Sequence, residues 1–255
     1  MLLNLSLLHK KYKLKIIGVA HFGAHLGQEV NQYRELGINN IHLFEPQKII
    51  FEELVSNFKN ENGLYFYNFG LGSENSTVNL NLAPSNGGLS ASILKPEDHF
   101  KYYPKIEFTG IEKINICKYD ELGIKNINFL NIDIQGYEMN ALKGSVNVLK
   151  NEIEYIFIEI SRKPLYKDSA LVKDIDNFLS DFDFLRVATK WASSKVPWAD
   201  SFYIKKSKLN TKQLFQARIL IFFQKFSLFY SLIDPYRKTK KTWYKVKQKL
   251  KYLLN

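Results

Sequence analysis

Two glycines and two acids, each placed where a chain leaves a strand, are the first residues whose types and spacing could do chemistry. Gly23-Ala24-His25-Leu26-Gly27 follows a short apolar run, and glycines in such a turn tolerate positive φ and let a ligand approach the backbone closely. Glu45 stands 22 residues after Gly23, at the end of a second apolar run. An acid there can accept hydrogen bonds from both hydroxyls of a free ribose, whereas it would repel a ribose phosphate. Asp133-Ile134-Gln135-Gly136 ends a further run and brings another carboxylate to a strand end. Together these residues point to an adenosyl ligand held beyond the carboxyl ends of a sheet; a solvated strand-end acid at Glu45 and a helix-stabilising acid at Asp133 are the bland alternatives.

The elements that must position them alternate in type. Lys15 to His21, Asn40 to Glu45 and Leu64 to Phe69 read as strands, with helical spacing between them through about Leu36 and through Phe51, Leu54, Val55 and Phe58; Gly37 fits a helix C-cap. The alternation resumes with a strand from Asn128 to Ile134, a helix from Tyr137 to about Leu149 and a strand from Tyr155 to Ile160. A helix within residues 168–180 and a closing pair, Phe184 to Ala188 and Ser201 to Lys205, follow. Parallel neighbours need crossover connections of this length, so the expected fold is α/β, a Rossmann-like doubly wound and mostly parallel sheet with helices on both faces. The middle of the chain, with Thr77 to Leu82 and Ile114 to Cys117 as short extended runs, reads as an insertion over the strand ends. Within it Asn86 to Ser92 is loop chemistry that suits either a lid or a surface crossing. Residues 1–14 are an N-terminal segment, 15–206 the main domain and 207–255 a basic helical tail.

Composition narrows the class. With 45% hydrophobic residues, 24% charged, 13 glycines and 7 prolines, most of the chain should fold. Cys117 is the single cysteine, so no intramolecular disulfide can form and a reducing compartment is the natural expectation. The apolar Met1 to Leu8 precedes its basic residues, His9, Lys10 and Lys11, which is the wrong order for a secretory signal. A cytoplasmic enzyme without a cleaved leader is expected. The net charge of +11 is uneven, because residues 205–255 hold 14 of the 36 Lys and Arg and one acid; that segment carries +13 and the remainder −2. No H-E-x-x-H or paired C-x-x-C appears and the five histidines are scattered, so no metal site is expected.

The glycine spacing helps choose among adenosyl ligands. A dinucleotide pyrophosphate favours G-x-G-x-x-G at a helix N-terminus, and a Walker loop needs Lys and a hydroxyl residue after its last glycine; this turn has neither pattern. S-adenosylmethionine carries no phosphate and is favoured over NAD.

A longer match supports that choice. Asn128-Phe129-Leu130-Asn131-Ile132-Asp133-Ile134-Gln135-Gly136-Tyr137-Glu138, continued by Ala141-Leu142-Lys143-Gly144, resembles a hallmark block of FkbM-type methyltransferases. Ile17 to Glu29, His42 to Pro46, Asn68 to Leu71 and Tyr155 to Ser161 stand in the family's order, so the resemblance covers roughly residues 15–165. It implies a Rossmann-like fold and an S-adenosylmethionine-dependent enzyme, and characterised relatives include O-methyltransferases of sugars and polyketide-type natural products. Carried over by position, Gly23, Ala24, His25 and Gly27 would wrap the methionine part of the cofactor. Glu45 and Pro46 would hold the ribose, Asn68, Gly70 and Leu71 would flank the adenine, and Asp133, Gln135 and Glu138 would face the transfer centre. The chain departs from the family where His21 replaces a frequent Asp, His25 a frequent Asn and Gln135 a frequent Glu. The carboxylate usual at the first strand end is therefore missing.

Transfer to a hydroxyl requires its proton to be removed, and the candidates are Asp133, ranked first, with Glu138, His21 and His99. The expected acceptor is a hydroxyl of a glycan or small-molecule natural product. A non-catalytic adapter with a degenerate cofactor site and a nucleic-acid methyltransferase are the competing readings; the second is disfavoured because base-amine methylation usually shows an N/D-P-P-Y/F strand end. In the tail, Leu214 to Ile233 reads as an amphipathic helix rather than a membrane span, and Trp243, Val246, Leu250 and Leu253 recur at helical spacing among lysines. Peripheral contact with an anionic inner membrane surface, packing on the chain's own domain and contact with a sister subunit in an oligomer are the alternatives.

Overall fold

The computed structural model describes residues 1–225, with side chains through residue 221. It begins with helix α1 (Leu5–Tyr12), which Asn4 caps by accepting from the Leu7 amide, and which buries Leu5 and Leu8. Then come β1 (Val19–Phe22), α2 (Val30–Glu35), β2 (Ile41–Phe44), α3 (Lys48–Asn57) and β3 (Leu64–Tyr67). The middle segment contributes β4 (Gly70–Leu71), β5 (Ser76–Asn81), the short helix α4 (His99–Tyr102) and β6 (Ile111–Cys117). The second half runs β7 (Phe129–Ile132), α5 (Glu138–Lys143), α6 (Val146–Asn151), β8 (Tyr155–Ser161), α7 (Val172–Ser180), β9 (Phe184–Trp191), β10 (Trp198–Lys205) and α8 (Thr211–Lys225).

Seven strands form one sheet in the order β3-β2-β1-β7-β8-β10-β9, parallel except for β10, which runs antiparallel to both its neighbours. The order reverses between β1 and β7, so right-handed crossovers send α2 and α3 to one face and α5 to α7 to the other. Every residue of β1, β2 and β7 is buried, as expected for central strands covered on both sides. This is the doubly wound, mostly parallel sheet expected from the sequence. The insertion folds as a separate three-stranded sheet, β4-β6-β5, with Leu80, Ile114 and Ile116 buried beside Tyr137.

Several boundaries differ from expectation. The first strand starts at Val19; Ile17 is exposed and its amide is bonded to the Asn128 side chain. The single helix expected from Tyr137 to Leu149 is two, α5 and α6, interrupted at Gly144 and Ser145, where a Cβ on Gly144 would meet the Gly72 carbonyl oxygen at 1.9 Å. Gly37, at φ +78, ends α2 and donates its amide to Arg34. The chain divides into two compact units, Met1–Leu209 and Asn210–Asn255. In α8 the apolar residues Leu214, Phe215, Ala217, Ile219, Leu220 and Ile221 spread around the axis instead of along one stripe. The second tail helix, around Trp243 to Leu253, falls outside the described residues. Among the described residues, no helix is long and apolar enough to cross a membrane.

Candidate active site

A cavity of about 370 Å³ opens at the carboxyl ends of β1, β2, β7 and β8, at the point where the strand order reverses and ligands bind in open α/β sheets. Its size falls in the range of small-molecule sites. The first turn shapes one wall. Gly23, at φ +80, donates to the Phe44 carbonyl, and a Cβ there would meet the Asp133 carbonyl oxygen at 2.1 Å. His25 takes φ +47, a conformation that His and Asn reach more readily than most residues, which accounts for a His where an Asn is frequent.

Glu45, buried at the end of β2, anchors that turn. Its carboxylate accepts from the His25 amide at 3.0 Å and the Gln47 amide at 2.8 Å. Burial pushes its pKa up, and those two amides pull it part of the way back. Asn68 does not line the cavity; its amide donates to the carbonyls of Glu45 and Pro46 and so fixes the strand-end turn. Pro46, Gly70 and Leu71 do line it, with Phe44, Leu80, Ala91 and Ile93 as further apolar wall.

At the other end stand carboxylates. Asp133 is exposed to the cavity, and the protein packed around it, by displacing water, raises its pKa to about 6. Gln135, at φ +53, donates its amide to Asp133 Oδ1 at 2.8 Å, and its carbonyl accepts from Tyr166 at 3.0 Å. Glu29, Glu159 and Asp200 complete this end. Glu159 and Asp200 are direct partners across β8 and β10. Burial, then the charges of Asp133, Glu138 and Asp200, hold Glu159 well above the usual carboxylate range. The amides of Leu2 and Leu3 bond to Asp200, and Met1 reaches the cavity wall.

The loop from Asn86 to Ser92 covers the cavity through Gly88, Leu89 and Ala91, which favours the lid over the surface crossing. It is pinned from three sides. His25 Nε2 bonds the Gly87 carbonyl at 2.8 Å, Gln47 donates to Gly88, and the Tyr166 hydroxyl reaches Ser90. Ser92 in turn donates to the Gln135 backbone carbonyl at 2.7 Å.

Of the residues expected to bind or react, Gly23, His25, Glu45, Pro46, Gly70, Leu71, Asp133, Gln135 and His21 converge on this cavity. Others do not. Ala24 is buried behind it, and Gly27 leaves room for Phe58, which a Cβ would meet at 2.5 Å, so its glycine serves the packing of α3. Glu138 accepts from the amides of Ile134 and Gly136 and holds the Asp133 loop from behind. His99 is buried among Tyr103, Phe108 and Tyr166, away from the cavity lining. Neither Glu138 nor His99 is placed to take a proton from an acceptor in the cavity. Sequence reasoning missed Glu29, Glu159, Asp200 and Gln47; only Glu159, at the end of an apolar run, carried a visible signal. Among the described residues no set of three His, Cys, Asp or Glu side chains is placed to hold a metal ion.

The sheet order and the cavity define a doubly wound fold with a small-molecule-sized cavity at its switch point. Comparison with known proteins gives the family. The methyltransferase FkbM domain model matches residues 20–186, and the chain belongs to that family, whose cofactor is S-adenosylmethionine. Among solved structures, the FkbM methyltransferase of Methylobacillus flagellatus KT superposes with a TM-score of 0.51 at 15% identity, covering 74% of this chain and 43% of that one. This chain thus spans less than half of that protein's length, and the likeness shows the fold. The magnesium protoporphyrin IX methyltransferase of Synechocystis PCC 6803, solved with bound S-adenosylmethionine, is similar over 79% of this chain and 75% of that one, at 11% identity and a TM-score of 0.47. No curated protein matches the chain.

Proposed function

We propose that this domain is an S-adenosylmethionine-dependent methyltransferase acting on a hydroxyl of a glycan or small-molecule natural product. The observation that carries the reading is the charge of the cavity: among the described residues lining it there is no Lys or Arg, while Glu29, Glu45, Asp133, Glu159 and Asp200 all face it. A phosphate-bearing nucleotide would meet five carboxylates with only the Met1 ammonium as counter-charge among the described residues. A phosphate-free adenosyl sulfonium fits this donor set, with the Leu71 and Ile93 wall for an adenine ring and Glu45 for ribose hydroxyls. The same charge argues against a nucleic-acid acceptor, whatever the basic tail does.

When bound, S-adenosylmethionine supplies a methyl group whose bond to sulfur breaks as the acceptor oxygen bonds to carbon, the electron pair passing to sulfur. The protein's residues align the acceptor and receive its proton. Asp133 is the group that takes the proton, because with a pKa of about 6 it is ionised at neutral pH yet more basic than an ordinary Asp. Gln135 holds one of its oxygens and leaves the other for the acceptor hydroxyl. The lid, tied to Tyr166 and Gln135, keeps water out.

The test is calorimetric titration of the purified chain with S-adenosylmethionine, S-adenosylhomocysteine and NAD, beside a Glu45→Ala variant whose folding is checked by thermal melting. Micromolar binding of the first two, weakened about 10- to 100-fold in the variant, or about 1.4–2.8 kcal/mol, is expected. Preferential binding of NAD, or no binding by the folded chain, would overturn the reading.

A further inference from the structure

His21 stands where a carboxylate is usual, and its hydrogen bonds determine what it can do instead. The Asn131 amide donates to the Tyr33 hydroxyl at 2.6 Å. Tyr33 therefore directs its own proton to His21 Nδ1, at 3.3 Å. Burial lowers the His21 pKa, so the ring is neutral with its proton on Nε2. Nε2 has no partner among the described residues. The side chain is thus a hydrogen-bond donor on the cavity wall, unable to accept from an ammonium group or to take a proton at Nδ1. This revises its place among the candidate bases.

Glu29 lies on the turn that leads into α2, half-buried on the same cavity. It caps nothing: the N-cap position of α2 has no side-chain hydrogen bond. What its carboxylate does contact is a primary ammonium, that of Met1, at 3.5 Å. Another cation bound at Glu29 would take the place of that ammonium. The electrostatic reach of Glu29 extends to His21, Tyr33, Asp133 and Asp200, whose pKa values it raises, which places it centrally at this end of the cavity.

We propose that His21 and Glu29 together read the zwitterionic amino-acid end of the cofactor, His21 Nε2–H donating to its carboxylate and Glu29 receiving its ammonium. The inference rests on the S-adenosylmethionine reading. It replaces the missing strand-end carboxylate with one eight residues further on and gives the imidazole the opposite polarity from the acid it stands in for. Neutral His21 suits an anion, and Glu29 suits a cation; exchanging their roles would pair donor with donor and anion with anion.

The experiment uses three probes on the full chain: S-adenosylhomocysteine, its decarboxylated analogue, which keeps the ammonium, and 5′-methylthioadenosine, which lacks the amino-acid end. Binding is measured by calorimetry for the wild type, Glu29→Gln and His21→Asn; the last keeps a polar atom near Nδ1 for Tyr33 and places nothing at Nε2. Glu29→Gln should weaken S-adenosylhomocysteine and the decarboxylated analogue about tenfold or more and change 5′-methylthioadenosine less than about twofold. His21→Asn should weaken only S-adenosylhomocysteine. Unchanged binding of S-adenosylhomocysteine by Glu29→Gln, or an equal loss for all three probes, would overturn the inference while leaving the cofactor reading in place. A wild type that binds none of them would overturn both.

Discussion

Glu138 offers a stability test of the site's electrostatics that does not depend on turnover. It is 7% exposed, at the start of α5, and its Oε1 accepts from Ile134 at 3.2 Å and Gly136 at 3.0 Å. Burial raises its pKa from 4.5 to about 7, against the pull of the loop amides. Because the folded value is the higher one, the folded state binds the proton more tightly than the unfolded chain. Stability contributed by that proton is fully present below pH 4.5 and is lost as pH rises through 7. The rise corresponds to about 3 kcal/mol. Glu138→Gln keeps an acceptor for the two amides and cannot ionise, so this loss should vanish. The variant should gain about 3 kcal/mol on the wild type between about pH 4 and pH 8, or about 6–12 °C in melting temperature for a domain of this size. Whatever constant offset the amide introduces cancels in that difference. Parallel melting curves for the two proteins across this range would refute the assignment of Glu138 as a buried carboxyl group, and a lost cofactor affinity would refute its role as a holder of the loop.

Two further outcomes are expected. Once an acceptor is in hand, the rate should fall about tenfold per pH unit below about pH 6, where Asp133 takes up its proton, and Asp133→Asn should lose about 10²- to 10⁴-fold in rate with S-adenosylhomocysteine binding within about threefold of wild type; a flat pH profile from about 5 to 8 would exclude Asp133 as the base. The tail is read as a surface-binding element: the full chain should sediment with anionic vesicles at low salt, release at about 0.5 M salt as charge screening removes the attraction of about 1 kcal/mol for each Lys or Arg at the surface, and lose this binding on removal of residues 210–255. Equal binding to neutral vesicles, or none at low salt, would leave the tail to a protein partner.

The parts of this site that could be read from the sequence are those whose meaning is local. Gly23 must leave a strand at positive φ, Glu45 ends a strand of buried residues, and Asp133 sits before a glycine that reopens the chain; each is defined by neighbours within a few positions. Gly27 shows the limit of such reasoning, since spacing assigned it to the ligand and the side chain that needs its missing Cβ is Phe58, 31 residues away. The glycine between α5 and α6 shows the same limit, because what Gly144 accommodates is the backbone at Gly72. Glu159 and Asp200 face one another only because β10 enters the sheet between β8 and β9, an arrangement that no periodicity in either strand encodes. Local pattern says which residue ends a strand; strand order says which strand ends are neighbours. A cavity built from β1, β2, β7, β8 and β10 therefore collects acids from positions 29, 45, 133, 159 and 200, and the shared consequence of their meeting is an acid-lined chamber inside a chain whose overall charge is +11. Net charge is carried by the tail, and the strand ends decide the charge of the site.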